Sequence, residues 1–189
     1  MSDSRLVLVP TLWRTCRALA NRRRLRILRC FGDHPELSVS DAAGLAGIAP
    51  PLASEYLRAL NARGILQARR VSRHVLYRMR ADPSVPHAEK LLAALRTTFR
   101  RKQNPVEETF AALTGFTHPR RISIVQALAC QPLPLKVIRR RTGICAQAAL
   151  RHLRKLRDRG YVAKTKRFYR CVVPASPLRK ALLALALKA

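Results

Sequence analysis

Acidic side chains are what this sequence has least of. Only 10 of its 189 residues are Asp or Glu, against 38 Lys and Arg, and its 5 histidines lie scattered among them. That supply leaves no paired acid–base constellation. There is also no phosphate-cradling glycine loop, no His-Glu-x-x-His and no nucleophile motif, so the chain is expected not to be an enzyme and no cofactor is implied. The cysteines (Cys16, Cys30, Cys130, Cys145 and Cys171) are odd in number, widely spaced and without a Cys-x-x-Cys pair. This excludes a disulfide framework or a zinc knuckle and predicts reduced thiols, with Cys145 the one open to redox chemistry. No apolar run reaches transmembrane length, and the short Leu6–Val9 patch has no cleavage pattern. The expectation is no membrane partner and a cytoplasmic, nucleoid-associated protein.

What the chain does have is positive charge, +28 in all, with arginine at 30 of the 38 basic positions. Arginine is the side chain best shaped for bidentate phosphate and guanine contacts. So large a charge repels itself in a compact chain, and a polyanion is the partner that relieves it. Residues 1–103 hold 20 bases and 7 acids, and residues 104–189 hold 18 and 3. A polyanion should therefore meet both halves.

The halves also resemble each other. Leu19-Ala20-Asn21-Arg22-Arg23-Arg24-Leu25-Arg26-Ile27-Leu28 aligns with Phe116-Thr117-His118-Pro119-Arg120-Arg121-Ile122-Ser123-Ile124-Val125. Gly47-Ile48 then aligns with Gly143-Ile144, the run Leu57 to Gly64 with Leu153 to Gly160, and Leu76-Tyr77-Arg78 with Phe168-Tyr169-Arg170. Four matches in order, with small gaps, read as an internal duplication.

Each copy predicts the same elements. An opening helix (near 11–19 and 107–116) leads to a second (22–31 and 119–129). A short helix (39–46 and 135–142) stops at Gly47 or Gly143, and a three-residue turn leads to a fourth helix (50–63 and 146–159). Two extended runs follow as a hairpin: Ile65–Arg69 and Val75–Arg78 around a five-residue tip, then Tyr161–Lys164 and Phe168–Val172 around a tighter one. A closing helix (86–102 and 177–188) ends each copy, with Arg100 to Pro105 as the boundary. The fold class is thus mainly α with small β-hairpin wings: two tandem winged helix-turn-helix domains, 1–103 and 104–189, in pseudo-twofold relation.

At Leu19 to Leu28, Leu45-Ala46-Gly47-Ile48, Leu57 to Leu66 and Val75-Leu76-Tyr77 the sequence resembles the ArsR-type winged-helix repressors. The second half resembles them more loosely through His118 to Ile122, Leu150 to Leu156 and Arg159-Gly160-Tyr161-Val162. The resemblance implies a DNA-binding regulator that dimerises through its first and last helices. In a duplicated chain this interface is expected to form internally, a single-chain pseudo-dimer lined by Leu91–Leu95 and Leu182–Leu187, with a homodimer as the alternative. Glu36-Leu37-Ser38-Val39-Ser40-Asp41 is similar to the family's metalloid-sensing segment, but serines stand where two cysteines would be. Hydroxyls do not replace soft thiolate ligands, so no metal site is expected.

Double-stranded DNA is the expected partner. A helix-turn-helix lays its second helix in the major groove, where base edges are distinguishable. In the second copy Gln147, Arg151 and Lys155 recur at four-residue spacing on one face, with Arg154 beside them. His152 reads equally well as a DNA contact or a packing residue. In the first copy Pro50 and Pro51 open the helix and Glu55 stands in the place of Arg151, leaving Ser54 and Arg58 as contacts. The wings supply Arg69, Arg70, Arg73 and His74, then Lys164, Lys166 and Arg167, suited to phosphates. The runs Arg22–Arg24 and Arg139–Arg141 are expected to act likewise. The alternative is a sequence-tolerant or architectural nucleic-acid binder, structured RNA included.

Overall fold

In the computed structural model, residues 10–100 and 103–189 are described. The Leu6–Val9 patch and Arg101-Lys102 of the boundary lie outside them. The first half runs α1 (Leu12–Leu19), α2 (Arg22–Cys30), β1 (Leu37–Ser38), α3 (Val39–Ala46), α4 (Pro50–Asn61), β2 (Gln67–Val71), β3 (His74–Arg78) and α5 (Ala88–Phe99). The second repeats that order: α6 (Pro105–Leu113), α7 (Pro119–Ala127), β4 (Leu133–Pro134), α8 (Leu135–Thr142), α9 (Ala146–Asp158), β5 (Val162–Thr165), β6 (Phe168–Cys171) and α10 (Pro177–Lys188).

Local chemistry sets these bounds. The Asn21 side chain accepts from the backbone N–H groups of Arg23 and Arg24 at the start of α2. His118 does the same for Arg120 at the start of α7, where Pro119 occupies the first helical position. At α3, Ser38 and Asp41 form a reciprocal capping box, the Asp41 N–H donating to Ser38 Oγ at 3.2 Å and the Ser38 N–H to Asp41 Oδ2 at 3.1 Å. The serine of the supposed sensing segment therefore caps a helix. Both short helices end on a left-handed glycine, Gly47 (φ 63°) and Gly143 (φ 67°). A side chain would be strained there.

The wings differ from expectation in two respects. Each is three-stranded and antiparallel, in the orders β1-β3-β2 and β4-β6-β5. Leu37 pairs with Tyr77 and Leu133 with Tyr169, and all four are buried. The two-residue strands β1 and β4 are too short to carry a period-2 pattern, so the sequence reading passes over them. Both hairpins also close through two-residue turns, Val71 pairing with His74 and Thr165 with Phe168. The first wing's tip is accordingly two residues long, and Arg70 lies within β2.

One hydrophobic cluster runs through both halves. Leu91, Leu95 and Phe99 are buried on α5, and Leu178, Leu182 and Ala186 on α10, and these two helices pack together. Helices α1, α2 and α5 also touch α6. Each fully buried leucine contributes about 1.5–3 kcal/mol relative to exposure. Across the same seam Arg22 makes a two-pronged ion pair with Glu107 (2.6 and 2.8 Å) and lies 3.9 Å over the Phe110 ring. His87, buried at the head of α5, meets Thr15 Oγ1 of α1 at 2.8 Å. Burial lowers its pKa. Gly115 packs against the buried Tyr161 ring so closely that a Cβ would collide with it, and Tyr161 donates its hydroxyl to the Ala112 carbonyl at 3.0 Å.

Candidate nucleic-acid interface

Two helix-turn-helix pairs, α3–α4 and α8–α9, stand against the wing sheets. Along α9 the buried positions are Ala148, Ala149, His152, Leu153 and Leu156. The opposite side exposes Gln147, Leu150, Arg151 and Arg154, at the i, i+3, i+4, i+7 spacing of one helical stripe. This stripe shifts the expected face by a fraction of a turn. Lys155 is half-buried toward α7, and its pKa is lowered by that burial, then by Arg159 and Arg121. Leu150, 46% exposed, joins the stripe in its place. Its signal in the sequence is an apolar residue out of phase with the core positions. An apolar tip is suited to a thymine methyl.

His152 is 4% exposed and lies 4.6 Å from the His118 ring. Of its two readings the packing one holds, and it is removed from the exposed stripe. Burial, then His118, Arg121, Arg151 and Arg120, push its pKa down to about 4. The offset that aligns the two halves sets His152 opposite Tyr56, also buried, so the position packs inward in both halves.

On α4 the exposed residues are Pro50, Pro51, Glu55 and Arg58, with Ser54 half-buried. Arg58 Nε reaches the Ser54 carbonyl at 3.4 Å. Glu55 is 3.6 Å from Arg24, whose guanidinium also donates to the Ala18 carbonyl (2.9 Å) and lies 4.9 Å over the Tyr56 ring. Two of the three arginines in the Arg22–Arg24 run are thus engaged within the fold, against the expectation that the run meets phosphate. Arg69, expected at phosphate, stays exposed and is paired with Glu36 at 2.9 Å.

The remaining wing cations stay at the surface. Arg70 reaches the Ser72 carbonyl at 3.4 Å and Arg73 the His74 ring at 3.3 Å, all four residues being exposed. Lys164 lies 5.8 Å over Tyr169 and Arg167 5.8 Å over Phe168, with Lys166 at the turn between them. Arg139, Arg140 and Arg141 are exposed on the last turn of α8, and Arg141 donates to the Ala127 carbonyl at 3.3 Å. All five cysteines are free thiols, and Cys145 is exposed at the N-cap of α9. Among the described residues no three His, Cys, Asp or Glu side chains gather as a metal site would require, and no helix is long and apolar enough to cross a membrane.

Residues 22–70, from α2 into β2, match the family model of the IclR helix-turn-helix domain. This supports DNA-binding transcriptional regulation by a winged helix-turn-helix. No curated protein and no solved structure matches the chain.

Proposed function

We propose that the chain is a sequence-specific double-stranded DNA-binding regulator, a repressor, built from tandem winged helix-turn-helix units at 1–103 and 104–189 that pair within one chain. The observation that carries this reading is the stripe on α9. Gln147, Arg151 and Arg154 are exposed, and among the described residues none is hydrogen-bonded or ion-paired within the fold. Gln147 is chemically matched to adenine, Arg151 and Arg154 to guanine or phosphate, and Leu150 to a thymine methyl. Arg70, Arg73, Lys164, Lys166 and Arg167 hold the backbone and fix the register.

On the α4 side Ser54 and Arg58 add contacts, while Glu55 tolerates only a base edge that donates to it, such as cytosine N4. The two units therefore read different sequences, and the site is asymmetric. Occupying DNA that the transcription machinery needs would make the protein a cytoplasmic repressor.

Selection from random duplexes, followed by competition at physiological salt, tests this. The expected result is one preferred duplex retained against excess non-specific DNA, with affinity falling steeply as salt rises. Binding of all duplexes and structured RNAs alike would replace the regulator with a sequence-tolerant binder.

A further inference from the structure

Between α7 and α9 lies a cleft of about 380 Å³ lined by His118, Arg121, Arg151, His152, Arg154 and Lys155, with Asp158 as its one carboxylate. Two of the lining side chains are more than nine-tenths buried, His152 at 4% and Arg121 at 9% exposure. Each has a buried nitrogen, His152 Nε2 and Arg121 Nε, without a hydrogen-bond partner among the described residues. Among the described residues the Arg121 side chain donates to Thr117 Oγ1, at 2.5 Å. Burying polar nitrogens without partners is costly unless something else meets them.

The first half offers a comparison of charge, although there too Arg24 Nε lacks a hydrogen-bond partner among the described residues. There, between α2 and α4, Arg24 stands in the place of Arg121, and a carboxylate, Glu55, lies 3.6 Å from its Nη2. At Glu55's place the second half has Arg151, which adds a cation where an anion stood. We propose that the α7–α9 cleft is a phosphate-binding site that takes an external phosphate oxyanion where the first half has the Glu55 carboxylate. The donors fit that chemistry. Arginine forks suit phosphate oxygens, and the start of α7 adds its dipole. His118 accepts the Arg120 backbone N–H at Nδ1 (3.1 Å), which leaves its ring proton on Nε2 as a further donor.

The cleft shares Arg151 and Arg154 with the exposed stripe of α9, so a backbone phosphate of bound DNA and a free phosphate-bearing small molecule are the two sources. The proposal deepens the DNA-reading function, on which it rests only for the choice of source.

Inorganic phosphate titrated into the full chain at constant ionic strength, observed through the imidazole resonances of His152 and His118, tests the cleft. One phosphate per chain is expected to saturate, with the His152 ring becoming easier to protonate as the anion offsets Arg121, Arg151 and Arg120. Arg151→Glu rebuilds the first-half arrangement and should weaken phosphate by about tenfold or more, whereas Asp158→Asn should tighten it. A non-saturating response at His152, or equal phosphate affinity in both variants, overturns the site. Adding the preferred duplex separates the sources. Displacement of phosphate assigns the cleft to the DNA backbone, and simultaneous occupancy assigns it to a free ligand. A saturable cleft in a protein with no duplex preference overturns the regulator reading alone. A kept preference with no phosphate response overturns the cleft alone.

Discussion

The two halves share an order of elements but distribute their acids differently. In the first, Glu55 pairs with Arg24 and Glu36 with Arg69, so arginines of α2 and the wing are consumed inside the fold. In the second, Glu107 reaches back across the seam to Arg22, and Glu108 accepts a hydrogen bond from Ser176 at 2.7 Å. That leaves Asp158 as the only acid beyond the first turn of α6. The contrast separates structural arginines from available ones. A guanidinium with a carboxylate partner braces the fold, whereas one without a partner keeps its full attraction for a polyanion. In the proposed arrangement the first half carries more of the bracing and the second more of the unpaired cations.

The largest expected effect tests whether the halves are one structure at all. Leu95 is fully buried on the helix that meets α10, and Leu95→Ala should cost about 2–5 kcal/mol. Calorimetry should show one transition moved to lower temperature; two separated transitions would mean that the halves hold themselves together independently. Next comes the division of labour. Arg151→Ala should cost about 1–3 kcal/mol of specific binding, while Glu55→Ala should keep the site preference. Equal losses in competition binding would erase the distinction between reader and brace.

A third prediction uses pH. The His152 pKa is lowered to about 4 in the fold, below the unfolded value of about 6.5, so the folded state favours the neutral ring. Stability from this source is present above pH ~6.5 and lost as pH falls toward 4, because the unfolded chain binds the proton first. His152→Tyr, the residue of the first half, should flatten that part of the urea-unfolding pH profile, and an unchanged slope would point to other groups. The smallest effect concerns a cap that only one half has. Ser38→Ala should cost about 0.5–2 kcal/mol, and hydrogen exchange should rise in α3 but not in α8, where Pro134 makes no side-chain cap. Equal fraying of both helices would show that the cap is not local.

Much of this contrast could be read from the chain itself. The bounds of α3 and α8 follow from Gly47 and Gly143, and the buried positions of α9 from its apolar spacing. Strands β1 and β4 were hidden because two residues have no periodicity, and their pairing with Tyr77 and Tyr169 is a long-range event. The Arg22–Glu107 pair joins residues 85 apart, beyond any local pattern. The Ser38–Asp41 cap had a sequence signature, Ser-x-x-Asp, but it was overshadowed by the resemblance to a sensing segment. Arg69 and Arg24 misled for a simpler reason. Basic residues are so abundant here that sequence alone does not tell a paired one from an available one.

The packing of α5 on α10 has a consequence for dose. When the faces that pair are carried on one polypeptide, their effective concentration is set by the tether and not by the number of molecules in the cell. In the proposed arrangement no assembly step precedes DNA binding, so occupancy of the operator should follow protein abundance to the first power. A two-chain repressor at low copy number would follow it more steeply. Each half is also free to accumulate substitutions that its partner does not copy, which lets an operator lose its palindrome.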